Sequence, residues 1–310
     1  MFTFIDLFAG IGGIRIACEK NGGKCVFSSE WDQHAQKTYK ENFGETPHGD
    51  ITKIDEKEIP SHDFLNAGFP CQPFSTIGKR EGFEHKTQGT LFFDVVRILK
   101  HHKTKMILLE NVPGLITHDG GNTFTVIKDV LENDLGYKIF PKVINASDHG
   151  VPQERKRIYI VGFLKDKYGD NIEFNWPSAD KKHKYINQFL EKHQSGYNIS
   201  KHLQKSYLFK QDDGRPQIID KNSEVKVKTL VSTYHKIQRL TGTFVRDGET
   251  GIRLLSENEC KAIMGFPKDF KIPVSRTQMY RQFGNSVAVP VVEKIIHQIL
   301  KTAAQYKKSH

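Results

Sequence analysis

TFIDLFAGIGG, residues 3–13, begins as a short apolar run and ends with three glycines among its last four residues. The apolar run predicts a buried strand. The glycines allow the backbone to turn tightly and to approach a ligand closely before a helix begins. Residues 11–20 continue as a predicted helix, which the Asn-Gly-Gly turn at residues 21–23 ends. A strand, a glycine loop and a helix in this order predict the first unit of an α/β domain.

The same alternation continues through the first half of the chain. Further strands are predicted at residues 25–29, 63–67, 106–109, 143–144 and 158–163, and further helices at residues 34–43, 90–101 and 122–135. We therefore predict an α/β fold with a doubly wound, mostly parallel sheet. Because ligands of such sheets bind beyond the carboxyl ends of the strands, the residues that follow each strand are the candidates for function.

Size and composition exclude several classes of protein. With 310 residues, of which 37% are hydrophobic and 26% charged, the chain has the composition of a globular protein rather than a disordered one. No run of 18 apolar residues predicts a membrane span, and the first residues lack the pattern of a signal peptide. The four cysteines form no CxxC pair, so neither a disulfide scaffold nor a zinc module is expected. We expect a cytoplasmic protein without a membrane partner or a metal.

The excess of positive charge lies mainly in one stretch. The chain has a net charge of +10, and residues 181–240 contain 13 Lys and Arg against 5 Asp and Glu. A polyanion such as a nucleic acid is the favoured partner, and a solvated lysine-rich surface is the alternative. Because periodicity is weak there, we expect a second, smaller, irregular and basic domain at residues 176–275. Residues 1–175, completed by residues 276–310 with a final helix at residues 290–306, would form the large domain.

Acidic and aromatic residues follow the predicted strands near the glycine loop. Glu30 and Trp31 follow the second strand, twenty residues after Gly10, and Asp50 and Ile51 come after the next short segment. A carboxylate at this spacing can accept hydrogen bonds from ribose hydroxyls, and an indole can cover an adenine face. The alternative is a tight packing turn with a surface glutamate. The loop is not the full G-x-G-x-x-G pattern, so a dinucleotide is not favoured over another adenosine-containing cofactor.

Three further segments carry reactive side chains. Cys71 lies between two prolines in GFPCQPFS, residues 68–75, where a stiff loop suits a nucleophile better than a buried, inert thiol. Glu110 ends a buried strand and is a candidate acid, although a capping or ion-paired glutamate is the alternative. Arg155 and Arg157 share one face of an extended segment and could hold Glu110 or a carbonyl, unless they form a solvated edge.

Together these motifs resemble the cytosine-C5 DNA methyltransferases, especially the small bacterial modification enzymes. The resemblance covers nearly the whole chain and includes six motifs in order. They are the cofactor loop at residues 6–13, the Pro-Cys motif at 68–72, the acid motif at 110–112, the Gln-x-Arg-x-Arg motif at 153–157, and the late motifs at 253–267 and 284–287. Any one motif could occur by chance, but the ordered set is very specific.

The resemblance implies the S-adenosylmethionine-dependent methyltransferase fold, with S-adenosyl-L-methionine as cofactor. By the same resemblance the cofactor pocket is lined by Phe8, Gly10, Ile11, Gly12, Glu30, Trp31, Asp50, Ile51, Pro70, Leu91, Asn285, Ser286 and Val287.

The resemblance also implies a mechanism on double-stranded DNA. The Cys71 thiolate would add to C6 of a cytosine, Glu110 would hydrogen-bond or protonate N3, and Arg157 would hold O2 with the support of Arg155. The target cytosine would flip out of the duplex, and the glycine-rich residues 78–89 are similar to the loop that closes on it. A monomer is expected, together with a possible partner restriction endonuclease.

The basic stretch resembles a target-recognition domain, with Thr229 in the dipeptide that marks its recognition loops. The candidates for DNA contacts are Thr229, Tyr234, His235, Lys236, Gln238, Arg239 and Arg246. Arg239 and Arg246 are the candidates for guanine contacts, with phosphate contact or solvation as the alternative for each.

Two other functions compete with DNA methylation. An RNA cytosine-C5 methyltransferase would share the chemistry, but the Cys-Phe-Thr tripeptide of the family's RNA branch is absent from the sequence. A catalytically silent DNA-binding protein on the same scaffold is the second alternative, and the intact Cys71, Glu110 and Arg157 argue against it.

Overall fold

The computed structural model describes residues 1–70, 91–192 and 194–307, and these residues contain a six-stranded sheet. Its strands are β1 (Phe2–Leu7), β2 (Gly23–Ser29), β3 (Phe64–Ala67), β4 (Met106–Asn111), β5 (Tyr137–Asn145) and β6 (Lys156–Leu164). The strand order is β2-β1-β3-β4-β6-β5, and β6 runs antiparallel to both of its neighbours while β2, β1, β3 and β4 pair in parallel. The predicted mostly parallel sheet is therefore confirmed.

Helices cover both faces of this sheet. The helices of the described residues are α1 (Gly13–Lys20), α2 (Gln33–Phe43), α3 (Leu91–His102), α4 (Asn122–Asp129), α5 (Lys165–Tyr168), α6 (Lys201–Leu203), α7 (Glu257–Met264), α8 (Arg276–Asn285) and α9 (Val289–Lys307). Phe4 and Phe64 belong to one buried cluster, with apolar side chains of α1 and α9. Ile5 and Leu65 belong to another, with those of α3 and α4. Alternate residues of one strand thus face opposite layers, as a doubly wound fold requires.

Two helix boundaries differ from the prediction by more than one residue. The first helix begins at Gly13 rather than at residue 11, because Gly12 has a left-handed backbone with a φ of 84°. The fourth helix is regular only to Asp129 and continues as one wider π-helical turn, Val130–Asp134. None of the helices among the described residues is both long and apolar enough to cross a membrane.

The strand order places a crevice at the carboxyl ends of β1 and β3. The connection after β1 leads to β2 on one side, and the connection after β3 leads to β4 on the opposite side. The two connections therefore diverge at this point. Such a switch in strand order is where open α/β sheets bind their ligands. The glycine loop follows β1, and the segment that leads to Cys71 follows β3. Sequence and topology therefore bring two predicted motifs to one place.

Gly12 is required by the packing of the glycine loop. A Cβ at this position would lie 2.2 Å from Cε2 of the Phe43 ring on α2, and the positive φ already disfavours any other residue. The loop closes through a hydrogen bond of 2.8 Å that the Gly12 N–H donates to the Ala9 carbonyl. The loop can therefore lie directly against α2.

Residues 176–275 are mostly irregular, as their weak periodicity predicts. They include the helix α7 and a small parallel pair, β7 (Gln217–Ile219) and β8 (Thr243–Val245), besides short helical turns. Their apolar side chains, among them Ile219 and Phe244, join the buried cluster that contains α1 and α9. The division into two domains at the predicted boundaries stays a prediction.

Arg253 organises the core of this irregular part. Its side chain is 0% exposed and donates to both carboxylate oxygens of Glu259, each at 2.8 Å, and to Asp247 at 3.0 Å. Glu259 also accepts from the backbone N–H groups of Ser256 and Glu191. One buried ion pair therefore fixes the start of α7 against two loops.

We predict that Arg253→Met lowers the free energy of unfolding by about 3–5 kcal/mol, because it leaves the buried Glu259 carboxylate unpaired. Urea denaturation followed by circular dichroism measures this loss. The control is Lys271→Met, which removes an ion pair with Glu41 whose side chains are 66% and 43% exposed. This control should cost less than about 1 kcal/mol. Equal losses in the two variants would contradict the structural role of Arg253.

Candidate active site

Glu30 connects the end of β2 to the glycine loop. Its carboxylate accepts the N–H of Gly10 at 2.8 Å through Oε2 and the N–H of Asp32 at 2.8 Å through Oε1. Burial raises the pKa of Glu30, and these backbone donors oppose that effect. Because each carboxylate oxygen can accept more than one hydrogen bond, Glu30 could also bind hydroxyl groups of a ligand in the crevice.

Two other predicted segments reach the end of β2. The Trp31 side chain is 77% exposed directly after Glu30. The His48 N–H donates to the Ser28 carbonyl and the Glu30 N–H donates to the His48 carbonyl, both at 2.8 Å, so the chain before Asp50 lies along β2. Asp50 then caps the turn Ile51–Lys53 by accepting the Thr52 N–H, and the Ile51 side chain is buried.

The chain returns to the glycine loop after α8. A Cβ at Gly13 would lie 2.8 Å from Ser286 Oγ and 3.0 Å from Val287 Cγ2, so both residues contact the first turn of α1. Asn285, just before them, is exposed. Residues that are more than 270 positions apart in sequence therefore meet at the crevice.

The remaining predicted cofactor residues differ in exposure. Ile11 is buried, while Phe8 is half-buried with a φ of 57° directly after β1. Pro70 is exposed at the end of a described range, and Leu91 is half-buried at the start of α3. Cys71 and the predicted closing segment at residues 78–89 lie outside the described residues.

Glu110 and Arg157 form an ion pair at the carboxyl end of β4. Arg157 Nε lies 3.1 Å from Glu110 Oε1, with side chains that are 15% and 13% exposed. Burial raises the pKa of Glu110, although Arg157 and Arg155 oppose this shift. A Cβ at Gly68 would lie 3.5 Å from Glu110 Oε2, so the carboxyl group faces the segment that leads to Cys71. The site can therefore present an acid beside that segment.

Arg155 lies deeper than Arg157 and is 2% exposed. Its Nη1 donates to the Leu230 carbonyl at 3.0 Å, and its Nη2 donates to the carbonyls of Gly284 at 3.0 Å and Ser286 at 2.6 Å. Burial, together with repulsion from Arg157, lowers the pKa of Arg155 to about 10. Arg155 thus joins β6 to the irregular part and to the segment that borders the glycine loop.

Two buried amide side chains support this site and were not predicted. Asn111 Nδ2 donates to the Phe69 carbonyl at 2.9 Å, which fixes the backbone two residues before Cys71. Gln153 Nε2 donates to the Ile263 carbonyl at 2.9 Å, and its Oε1 accepts the Leu230 N–H at 2.8 Å. Asn111 lies in the acid motif at residues 110–112 and Gln153 in the Gln-x-Arg-x-Arg motif, but the hydrogen-bond partners of both are distant in sequence. The sequence does contain a signal for each: Asn111 is an amide residue at the end of a buried strand, and Gln153 is an amide residue next to an arginine pair.

The predicted DNA-contacting residues divide by exposure. Lys236 and Arg246 are exposed, whereas Thr229, His235 and Gln238 are half-buried. Tyr234 is 4% exposed and its hydroxyl donates to the Thr243 carbonyl at 2.6 Å. Arg239 is also 4% exposed, with its guanidinium bound inside the protein. The structure therefore buries the side chains of Tyr234 and Arg239, whereas a direct DNA contact by either would require exposure.

Within residues 1–70, 91–192 and 194–307, no group of three or more His, Cys, Asp or Glu side chains is arranged to hold a metal ion.

Comparisons with known proteins give consistent results. A family model described as C-5 cytosine-specific DNA methylase matches residues 2–301. The chain is 65% identical to the type II methyltransferase M.MspI of Moraxella sp, over 98% of this chain and 72% of that protein. It is 62% identical to M.BsuFI of Bacillus subtilis, over 94% of this chain and 71% of that protein. The crystal structure of the S. pombe Dnmt2 methyltransferase matches this chain with a TM-score of 0.78, over 97% of this chain and 99% of that protein's chain. Because its sequence identity is 21%, this match supports the fold alone.

We predict that Arg157→Gln raises the pKa of Glu110 further, because the cation that opposes the burial effect is lost. Carboxyl chemical shifts of ¹³C-labelled glutamate, followed against pH, measure this pKa. The control is Arg97→Gln, which removes a guanidinium that pairs with Glu56 and Asp94. It should leave the Glu110 titration unchanged. An unchanged Glu110 pKa in Arg157→Gln would show that the ion pair does not control this carboxyl group.

Proposed function

Since the chain belongs to the C-5 cytosine-specific DNA methylase family, we propose that it methylates C5 of a flipped-out cytosine through a covalent bond between Cys71 and C6. It is a DNA cytosine-C5 methyltransferase of the type II class, like its relatives. The proposal adds the steps of the reaction and the residues that perform them. The observation that carries it is the Glu110–Arg157 pair, 3.1 Å apart, which faces the segment leading to Cys71.

We propose S-adenosylmethionine as the cofactor in the crevice at the end of β1. A Cβ at Gly10 would meet no atom within 4 Å, so the loop backbone is open to a ligand. Residues 7–13 contain no lysine or arginine, which fits a ligand without phosphate groups. The residues present therefore fit this molecule, which supplies an electrophilic methyl group when it is bound.

Each segment of the crevice has a role in this binding. The Glu30 carboxylate accepts hydrogen bonds from the ribose hydroxyls, and the exposed Trp31 indole covers one adenine face. Asp50 and Ile51 contact the adenine edge. The remaining lining residues proposed are Phe8, Gly10, Ile11, Gly12, Pro70, Leu91, Asn285, Ser286 and Val287.

Cys71 and Glu110 activate the cytosine together. C5 of cytosine is too weak a nucleophile to accept a methyl group directly, so the Cys71 thiolate adds to C6. Glu110 donates a proton or a hydrogen bond to N3 as negative charge develops on the ring. The raised pKa of Glu110 supports this role because it keeps more of the acid form near neutral pH. Arg157 holds the O2 carbonyl and fixes the ring orientation.

The product forms when C5 loses its proton to solvent water after alkylation. The electron pair of the broken C5–H bond re-forms the C5–C6 double bond and expels Cys71 as a thiolate. Cys71 is therefore regenerated, and the proton on N3 returns to the Glu110 carboxylate in the same phase. Arg155 acts through Arg157 and the backbone rather than on the cytosine.

Base flipping and a specific duplex site complete the proposal. The C5 and C6 atoms are stacked inside a duplex, so the target nucleotide has to leave the helix before Cys71 can reach it. The basic residues of 181–240 supply the phosphate contacts that hold the duplex during this step. Because the relatives are named type II methyltransferases, we also propose that the enzyme protects DNA from a restriction endonuclease.

The proposal is tested with methyl-tritiated S-adenosylmethionine and mixed-sequence duplex DNA. We expect label at cytosine C5, and a stable protein–DNA adduct with 5-fluorocytosine DNA, because fluorine cannot leave C5 as a proton does. Cys71→Ser should lose both signals.

Cys25→Ser is the matched control for this experiment. Burial raises the pKa of the Cys25 thiol to about 12, so this cysteine stays protonated and its loss should spare the reaction. No label at any cytosine would overturn the proposed reaction. Wild-type activity in Cys71→Ser would overturn the assignment of the nucleophile.

A further inference from the structure

We propose that Arg239 is a positioning residue for sequence selection, which holds the exposed residues 209–215 as a DNA-reading loop beside residues 232–238. This inference rests on the proposed function, since a loop can select a site only if the protein acts on DNA. The sequence makes Arg239 a candidate for a direct guanine contact, with phosphate contact or solvation as the alternative.

The Arg239 guanidinium is occupied by one short segment of chain. It donates to the Leu208 carbonyl at 3.0 Å through Nε, to the Gln211 carbonyl at 3.0 Å through Nη2, and to Asp213 Oδ2 at 2.9 Å through Nη1. Nη2 also donates to Asp213 Oδ1, so the carboxylate is held by two bonds. A bidentate pair with two further carbonyl contacts fixes direction as well as distance. Arg239 therefore defines the path of the segment from Leu208 to Asp213.

The segment held in this way is unusually exposed. Leu208 and Pro216 are buried at its ends, while all seven residues between them, 209–215, are exposed and belong to no helix or strand. A free loop of this length would lose considerable backbone entropy on ordering. The contacts of Arg239 reduce that cost before any partner binds, which is what a recognition surface requires.

The chemistry of the loop suits base edges in a DNA groove. Gln211 and Arg215 carry side chains that can form bidentate hydrogen bonds with adenine and guanine, respectively. Asp212 can accept from the amino group of cytosine. Phe209, the first residue of the loop, and Leu240, which follows Arg239 in sequence, carry large apolar side chains that are 47% and 58% exposed. These side chains can contact thymine methyl groups or the sugar edge.

A continuous set of contacts connects this loop to the candidate active site. Arg155 binds the Leu230 carbonyl, and the chain then runs through Tyr234, whose hydroxyl donates to Thr243 O and accepts from the Leu255 N–H. Further along the same segment, the Arg239 backbone N–H donates to the hydroxyl of Tyr207 at 3.5 Å, and Tyr207 lies two residues before the loop. The loop thus has a fixed position relative to Arg155 and Arg157. A fixed distance is needed if one base is to be read while another is methylated.

The test compares kcat/KM for the preferred site with that for each duplex carrying a single base-pair substitution. Arg215→Ala should reduce discrimination at one position roughly 10- to 100-fold, the range expected when a bidentate base contact is lost. Arg239→Ala and Asp213→Asn should reduce discrimination at the same position and raise KM for DNA. KM for S-adenosylmethionine should not change, because the loop does not border the glycine loop.

Three further variants or measurements separate positioning from general stability. Arg239→Lys keeps the charge but loses the bidentate fork, so it should recover only part of the discrimination. Lys57→Gln, an exposed lysine in the short turn Glu56–Glu58, removes one charge before β3 and should leave discrimination unchanged. Melting temperatures identify misfolding, and Asp213→Asn, whose side chain is 39% exposed, tests the idea if Arg239→Ala does not fold.

The outcomes distinguish this inference from the function on which it rests. If the wild-type protein methylates selectively while Arg215→Ala and Asp213→Asn keep full discrimination, the positioning role is wrong. Equal losses at every position, together with a higher KM for S-adenosylmethionine, would also overturn it in favour of a structural role. If the wild-type protein transfers no methyl group to DNA, the proposed function itself fails.

Discussion

The buried guanidinium of Arg155 is the interaction on which the candidate site depends. It donates to three backbone carbonyls, Leu230, Gly284 and Ser286, from a position directly before β6, the strand that carries Arg157. These three carbonyls belong to the irregular part and to the segment bordering the glycine loop. One side chain therefore sets the relative positions of the proposed recognition, base-binding and cofactor segments.

Electrostatics constrain the same site. Burial and the neighbouring Arg157 both lower the pKa of Arg155 to about 10. The Arg155 guanidinium is still charged near neutral pH at this pKa. Glu110 is the counter-charge, and burial raises its pKa despite the two arginines. A buried cation without hydrogen-bond partners would be strongly unfavourable, so the three carbonyl contacts and Glu110 are mutually required. This requirement explains why the acid and the arginine pair occur together at the ends of β4 and β6.

The sequence predicted the parts of the fold that depend on local pattern. The strand, glycine loop and helix around residues 3–20 follow from apolar periodicity and from the need for a left-handed residue at Gly12. The spacing of Glu30 from Gly10 was also informative, and the structure joins them by a hydrogen bond of 2.8 Å. These features are short-range consequences of backbone geometry, so local pattern is sufficient to predict them.

Long-range partners could not be predicted in this way. The sequence identified Arg239 as a cation in a basic stretch, but not that Asp213 binds it, because nothing local distinguishes an exposed arginine from a buried one. Gln153 and Asn111 were missed for the same reason, since their partners at Ile263 and Phe69 lie in other elements. Polar residue type indicates what a group can bond to, whereas only the tertiary packing determines which bond it makes.

The most direct test of the central role of Arg155 is the steady-state kinetics of Arg155→Lys, with KM measured separately for DNA and for S-adenosylmethionine. Lysine keeps the charge but cannot reach three carbonyls with a planar fork. Loss of charge-assisted hydrogen bonds predicts that kcat/KM falls at least about tenfold and that KM rises for both substrates. A lower melting temperature with both KM values and kcat unchanged would contradict the account, because Arg155 would then stabilise the fold without coordinating the site.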